Sequence, residues 1–166
     1  MNIPRAKRMW VQIGDDLKTG HWEDIPEPDH FPTDGFAQVD SYVSRLLGSS
    51  ARFTSVIIAT PDQQIAVSLW QHVGLSEFTL SVEWRSEPEQ ERAVRKFFSA
   101  RGLSTSHDYL AGNGTVPDAT RCIGYFMPSD VQFITGLTKD VLGQIYHLRE
   151  QDALDFTYQE RHEAAS

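Results

Sequence analysis

The chain has 166 residues and a formal net charge of −8, so its length suits one domain that buries its own core. The acidic balance argues against nucleic acid as a partner, because nucleic-acid binding needs a basic surface. The sequence contains no run of about twenty apolar residues, so no membrane span is predicted. The one cysteine, Cys122, permits no internal disulfide, which predicts a cytoplasmic location.

The first 35 residues are acidic and rich in proline. Pro26, Pro28 and Pro32 lie so close together that they argue against a regular helix and most ladder pairing. A short strand from Met9 to Ile13 is the candidate for regular structure before them. We predict an N-terminal arm over residues 1–35 that wraps the domain in an extended form, with disorder as the alternative.

A helix and three strands are predicted after the arm. Apolar residues recur at helical spacing over about Phe36–Leu47, which predicts a helix. Runs with β-branched or alternating residues follow at 53–59, 65–71 and 78–84, separated by short turn segments. Three strands with connections this short predict an antiparallel meander.

The run from Phe78 to Trp84 alternates apolar and polar side chains without interruption and is predicted to be the central strand. Successive side chains of a strand point to opposite faces, so one face is predicted to be buried and the other polar. A helix follows and is predicted to end at Gly102, since glycine readily adopts the left-handed conformation found after helices. The residues predicted to meet in the core are Phe78, Leu80, Val82 and Trp84 from the strand and Val94, Phe97 and Phe98 from the helix.

The C-terminal third is predicted to contain a hairpin, a helix and a last strand. Asn113-Gly114 is a strong signal for a two-residue hairpin turn, and the return strand is predicted over about Arg121–Met127. Ser129 is predicted to cap a long helix. Alternation at 153–158 then predicts a short last strand.

The predicted fold class is α+β, in the order helix, three-stranded antiparallel meander, helix, two-stranded hairpin, long C-terminal helix and short last strand. A single domain is predicted over residues 36–159, followed by a frayed tail at 160–166. Gly136 and Gly143 fall on nearly the same side of the long helix, where each costs about 1 kcal/mol relative to alanine. We therefore expect a close approach of the sheet or of another helix at these glycines.

No constellation of side chains in the sequence is typical of catalysis or of a metal site. The six histidines are scattered, without the paired spacing of a metal-binding helix or a zinc ribbon. We therefore expect no cofactor, no metal and no enzymatic activity. The enzyme alternative is a small hydrolase or isomerase built around Glu83 and His107, together with Asp108.

Trp70 and Glu83 are the candidate partner-binding residues. Each falls on an alternating strand and is predicted on the face opposite the core. An aromatic side chain anchors an interface well because it buries a large area at a small entropic cost, and a carboxylate suits a basic segment. The alternative is that Trp70 packs under another part of the chain and Glu83 only keeps an outer face polar.

Three features together carry a resemblance: the strand ending in Glu83-Trp84-Arg85-Ser86, the helix ending in Phe97-Phe98-Ser99-Ala100-Arg101-Gly102, and the order of elements from Phe36 to Tyr158. In these features the chain resembles the YbjN-like proteins of the type III secretion chaperone-like superfamily. The resemblance implies an α+β domain that binds a peptide or protein segment on a sheet or helix surface. Such proteins are often acidic, small, dimeric and without cofactors, so a homodimer is left open.

These observations favour a non-enzymatic, chaperone-like protein that binds a polypeptide partner, and a basic segment is one form that this partner can take. An immunity-type protein that neutralises a basic toxin is the alternative within the binding class, because acidic surfaces speed the capture of basic partners. Neither hypothesis involves nucleic acid or a membrane.

Overall fold

The computed structural model of the protein describes residues 8–12, 20–24, 26–72, 74–83, 88–111 and 120–161. The strands in these residues are β1 (Arg8–Gln12), β2 (Gly20–Asp24), β3 (Asp29–Phe31), β4 (Phe53–Ala59), β5 (Ala66–His72), β6 (Leu75–Glu83), β7 (Thr105–Ala111), β8 (Thr120–Met127) and β9 (Leu154–Arg161). The helices are α1 (Val39–Leu47), α2 (Pro88–Ala100) and α3 (Val131–Asp140). A 3-10 turn at Gly35–Gln38 precedes α1, and a π-helical turn at Val141–Ile145 continues α3.

Seven strands form one antiparallel sheet in the order β3-β9-β4-β5-β6-β8-β7, while β1 pairs with β2 separately. The predicted fold class is therefore wrong in its architecture. Strand β8 pairs with β6, so the strands expected as a meander and a separate hairpin belong to one sheet. Strand β9, expected to be short, has eight residues and lies between β3 and β4. Alternation identifies the buried face of a strand but not its neighbours, which is why the sequence pattern did not predict this order.

The long C-terminal helix is also corrected. The α-helical part ends at Asp140 and the π-helical turn at Ile145. His147 then adopts a positive φ of 58°, and the Leu148 N–H donates to the carbonyl of Leu142 at 3.0 Å. The chain therefore leaves the helix before Leu148, whose side chain packs against the core from the following loop. The regular spacing of apolar residues continues past the point where the backbone turns, so periodicity alone overestimates the helix.

The helix ends are set by local hydrogen bonds. Asp130, rather than the predicted Ser129, caps α3, because its carboxylate accepts a hydrogen bond from the Phe133 N–H at 2.7 Å. The Ser129 hydroxyl instead lies 2.8 Å from the Ser76 hydroxyl, which joins the start of the helix to β6. Gly102 adopts a φ of 69° just after α2, as the sequence predicted.

The core lies between one face of the sheet and the three helices. Phe78 and Leu80 of β6 are fully buried, and the Phe78 ring lies 5.6 Å from the ring of Phe98 on α2. Val94 and Phe97 of α2 are buried as well. The predicted packing of this strand face under α2 is confirmed for these five residues.

Several predicted features fall on parts of the chain that the structure does not describe. They are the side chain of Val82, residue Trp84, the Asn113-Gly114 turn, residues 162–166 and much of the region 1–25. Within the predicted arm, β3 lies between Pro28 and Pro32 and pairs with β9 at the edge of the sheet formed by the described strands. An edge position of this kind is where flanking prolines are tolerated.

The glycines of the last helix do not mark the close approach that was expected. A Cβ built on Gly136 would meet no described atom within 4 Å beyond the neighbouring residues of its own helix, and one on Gly143 would lie 3.8 Å from the carbonyl oxygen of Leu148, an ordinary contact. Close approaches instead occur at Gly35, against Leu154, and at Gly124. The expected approach at the helix is therefore wrong, and Gly35 and Gly124 have the closest contacts among the described glycines.

Tyr42 ties α1 to the β3–β9 edge of the sheet. Its ring stacks on Phe156 at 4.4 Å and meets Phe31 edge-on at 6.2 Å, while its hydroxyl donates a hydrogen bond to Asp29. Burial, the hydrogen bond to Asp29 and the charge of Asp29 together raise the pKa of Tyr42 from 10.0 to about 12, against a smaller lowering by Arg45. The folded state therefore favours the neutral phenol more strongly than the unfolded chain does.

This shift predicts a loss of stability in alkali. Because the pKa of Tyr42 is higher in the folded state, its contribution is complete below the unfolded value of 10.0 and is lost as pH rises through about 12. Urea unfolding at a series of pH values between about 9 and 12 measures this loss. Over this range the free energy of unfolding should fall less for Tyr42→Phe than for the wild type. A residual decline is expected in the variant, because burial also raises the pKa of Tyr125 and Tyr158. Equal declines in both proteins would contradict the assignment to Tyr42.

Candidate functional site

The two faces of the sheet differ in what covers them. The helices bury the face that carries Val56, Leu69 and Phe78, and alternate residues lie on the opposite face, which no described helix covers. We call this opposite face the open face. Its members on the five strands β4 to β8 include Phe53, Ser55, Ile57, Ser68, Trp70, His72, Leu75, Glu77, Thr79, His107, Tyr109, Gly124 and Phe126.

The open face carries the large apolar side chains that are most exposed in the described part of the chain. Leu75 is 54% exposed, Tyr109 52% and Phe126 40%. All three belong to strands whose other face is buried against the helices. Exposed apolar side chains gathered on one face of a sheet are typical of an interaction surface, whereas scattered ones need no explanation.

Three residues from neighbouring strands form a row across the centre of the open face. Trp70 on β5 pairs in register with Glu77 on β6, and Glu77 pairs in register with Phe126 on β8. We call these three residues the Trp70 row. The Trp70 ring lies 4.8 Å from the ring of Phe53 on β4, and the Arg161 guanidinium lies 5.0 Å from Phe53 on the side away from the row. Directly opposed residues of this kind are close enough to contact one ligand together.

His107 lies beside this row and rests on Gly124. A Cβ at position 124 would overlap with the His107 ring, so glycine is what allows the ring to lie flat over β8. His107 Nδ1 is 3.1 Å from the Ser106 hydroxyl and 3.9 Å from Glu77 Oε2, while Nε2 is 3.5 Å from the Thr79 hydroxyl. The contact with Ser106 is the shortest of the three, and the approach to Glu77 exceeds hydrogen-bond distance.

Asp108 belongs to a different group of side chains on the helix-covered side. Its carboxylate is 2.9 Å from Arg95 and 2.6 Å from Arg121, and Arg95 also pairs with Glu91 at 2.9 Å. Burial alone would raise the pKa of Asp108, but the hydrogen bonds and charges of the two arginines outweigh it and lower the pKa. Asp108 therefore stabilises the packing of α2 against β7 and β8 and is not part of the His107 cluster.

The structure separates the residues that the enzyme hypothesis combined. His107 pairs in register with Gly124, whereas Glu83 pairs with Thr120, four residues further along β8. At about 3.3 Å per residue, this places their backbones about 13 Å apart along the strands. The carboxylate near His107 is that of Glu77, which was not among the predicted site residues.

The predicted partner-binding pair is also spread along the sheet. Trp70 lies on the open face as predicted and is partly exposed. Glu83 is the last residue of β6, six residues beyond Glu77, so its backbone lies about 20 Å along the strand from the Trp70 row. The side chain of Glu83 is outside the described part. The acidic residue beside Trp70 is Glu77. The sequence feature that indicates this pairing is the tight turn at Gly74, which has a φ of 79° and sets the β5–β6 register.

No group of three or more His, Cys, Asp or Glu side chains among the described residues is arranged to hold a metal ion. None of the described helices combines the length and the apolar character needed to cross a bilayer.

Comparisons with protein-family models, with curated proteins and with solved structures gave no significant match to this chain. The candidate site therefore rests on the geometry of the open face alone.

Proposed function

We propose that the protein is a non-enzymatic, chaperone-like binding protein that holds a polypeptide partner on the open face of its sheet. The observation that carries the proposal is the position of Leu75, Tyr109 and Phe126, the large apolar side chains most exposed in the described part, on one face that no described helix covers. Trp70, partly exposed, lies within the same surface. Aromatic side chains are the commonest anchors of protein interfaces.

The architecture of the sheet supports a partner on this face. The opposite face is packed against α1, α2 and α3, and its described apolar residues form the core rather than a comparable exposed surface. Adjacent strands are about 4.8 Å apart, so the five strands β4 to β8 provide a surface about 20 Å wide. This width accommodates an extended segment of six residues or so that lies across the strands, since an extended chain spans about 3.3 Å per residue.

A cytoplasmic location and a homodimer remain parts of the proposal. The location rests on the single cysteine, because a chain without disulfides suits a reducing compartment. The homodimer rests on the resemblance to the secretion chaperone-like proteins. Sedimentation equilibrium of the purified chain distinguishes a monomer from a dimer directly.

The proposal predicts that truncating the aromatic residues of the open face weakens peptide capture without unfolding the protein. An array of overlapping peptides from unfolded proteins is probed with the wild type, and the strongest ligands are then titrated by fluorescence anisotropy. The double variant Trp70→Ala/Phe126→Ala should raise Kd by at least about tenfold, because interface aromatics commonly contribute more than 1 kcal/mol each. The melting temperature should change little, since both side chains are partly exposed.

Arg92→Ala provides the control, because Arg92 is exposed on α2 on the other side of the sheet. This variant should bind the same peptides with unchanged affinity. A sharp fall in melting temperature for the double variant, with normal capture by the protein that stays folded, would mean that Trp70 and Phe126 are structural and that the partner binds elsewhere.

A further inference from the structure

We infer that the Trp70 row binds one arginine side chain of the polypeptide partner. This inference rests on the proposed function and specifies what the partner presents to the centre of the open face. The guanidinium group is a planar cation that stacks on aromatic rings and pairs with a carboxylate, and the row offers both kinds of contact.

The first support is the placement of Glu77 between two aromatic residues. Its register partners are Trp70 on one side and Phe126 on the other, each on the neighbouring strand. The Glu77 side chain is 31% exposed, so a group that arrives from solvent can reach the carboxylate. A cation at this position would contact an aromatic ring while it pairs with Glu77.

The second support is that no arginine or lysine of the described residues forms an ion pair with Glu77. Glu91 and Asp108, carboxylates of similar exposure on the helix-covered side, pair with Arg95 and Arg121 at 2.6–3.6 Å. The basic group near Glu77 is His107, whose Nδ1 is 3.9 Å away. This distance exceeds that of a hydrogen bond, so a partner can supply a closer cation.

The third support concerns the choice of arginine over lysine. Within this protein the Arg101 guanidinium lies 3.4 Å above the Phe97 ring, and the Arg45 guanidinium lies 3.7 Å above the Tyr158 ring. Guanidinium groups are more weakly hydrated than ammonium groups and stack face to face on rings. Moving a guanidinium group into a half-buried aromatic site therefore costs less hydration free energy than moving an ammonium group there. The net charge of −8 also favours the approach of a basic segment.

The test uses matched peptides on the full-length protein. Four fluorescent peptides share a leucine-rich sequence and differ at one central position, which is arginine, lysine, citrulline or glutamate. Citrulline retains nearly the shape of arginine but has no charge. The arginine peptide should bind about tenfold more tightly than the citrulline peptide, with lysine between them. The Trp70 indole N–H resonance should shift on addition of the arginine peptide.

Glu77→Gln is the decisive variant, because it keeps the size of the side chain and removes its charge. This variant should abolish the difference in affinity between the arginine and citrulline peptides and leave the Kd of the citrulline peptide unchanged. Glu89→Gln, an exposed site on α2, removes the same charge on the other side of the sheet and should preserve the difference. Phe126→Leu should reduce the preference in part, since it removes the ring and keeps an apolar side chain.

The outcomes separate this inference from the proposed function. If all four peptides bind equally to the open face, or if Glu77→Gln keeps the arginine preference, the arginine site is overturned while the binding function stands. If lysine binds more tightly than arginine, the site is a general cation site and the assignment to arginine is wrong. If none of the peptides binds, both the arginine site and the proposed function are overturned.

Discussion

Replacing Phe98 by alanine is expected to lower the free energy of unfolding by about 3–5 kcal/mol. Phe98 on α2 is fully buried, and its ring stacks on Tyr125 with the centroids 3.9 Å apart and the planes 4° apart. The rings of Phe78 and Phe97 lie at 5.6 and 5.2 Å. Removing a ring that three others contact leaves a cavity that the sheet cannot close, because β6 and β8 are held in register by their ladder.

Urea unfolding at neutral pH measures this loss. Phe98→Leu should lower the free energy of unfolding less than the alanine variant does, since most of the apolar volume of the side chain remains. The matched control is Phe126→Ala, which removes the same ring from the open face, where Phe126 is 40% exposed. We expect the control to lower the free energy of unfolding by less than about 1 kcal/mol. Similar losses for Phe98→Ala and Phe126→Ala would mean that Phe126 is buried like Phe98 and that the open face is covered.

Gly35→Ala is expected to destabilise the protein by about 1–3 kcal/mol through steric overlap. A Cβ at this position would lie 2.7 Å from the Cβ and Cγ atoms of Leu154 and 2.8 Å from the carbonyl oxygen of Asp152. The Gly35 N–H also donates to this oxygen at 3.1 Å, so the backbone cannot move away without losing the hydrogen bond. Leu154 is fully buried and has no space to yield.

Gly136→Ala is the control for this variant and should change the stability in the opposite direction. Its Cβ would meet no described atom within 4 Å beyond the neighbouring residues of its own helix, and Gly136 lies in the interior of α3. Alanine is more favourable than glycine in a helix by up to about 1 kcal/mol, so the variant should be more stable than the wild type. Thermal unfolding of both variants checks the pair. A neutral Gly35→Ala would show that the 3-10 turn before α1 can shift away from β9.

Single elements could be predicted from the sequence because their signals are local. The strand predicted at 53–59 coincides with β4, and the burial of Phe78 and Leu80 follows from simple alternation. The sheet order could not be predicted in this way. Pairing of β9 with β4 depends on contacts between segments far apart in the chain, and no local pattern reports them.

The candidate site was predictable in part for the same reason. Alternation in β5 placed Trp70 on the face opposite Leu69, as the structure does. Glu77 was missed because the sequence argument began the strand at Phe78, whereas β6 begins at Leu75. The position of His107 over Gly124 depends on a register shift between Thr105 and His107, which leaves no periodic signal in the sequence.

The place of β9 in the sheet has a consequence for the synthesis of this protein. Strand β4 pairs on one side with β5, which is translated soon after it, but its other partner, β9, is translated after all the other described strands of the sheet. Until then the nascent chain has an unpaired strand edge at β4, formed from the apolar run that contains Val56 and Ile58. Pairing of such distant segments also raises the contact order and slows folding. Chains stalled or truncated before β9 should therefore aggregate more readily than chains that contain it.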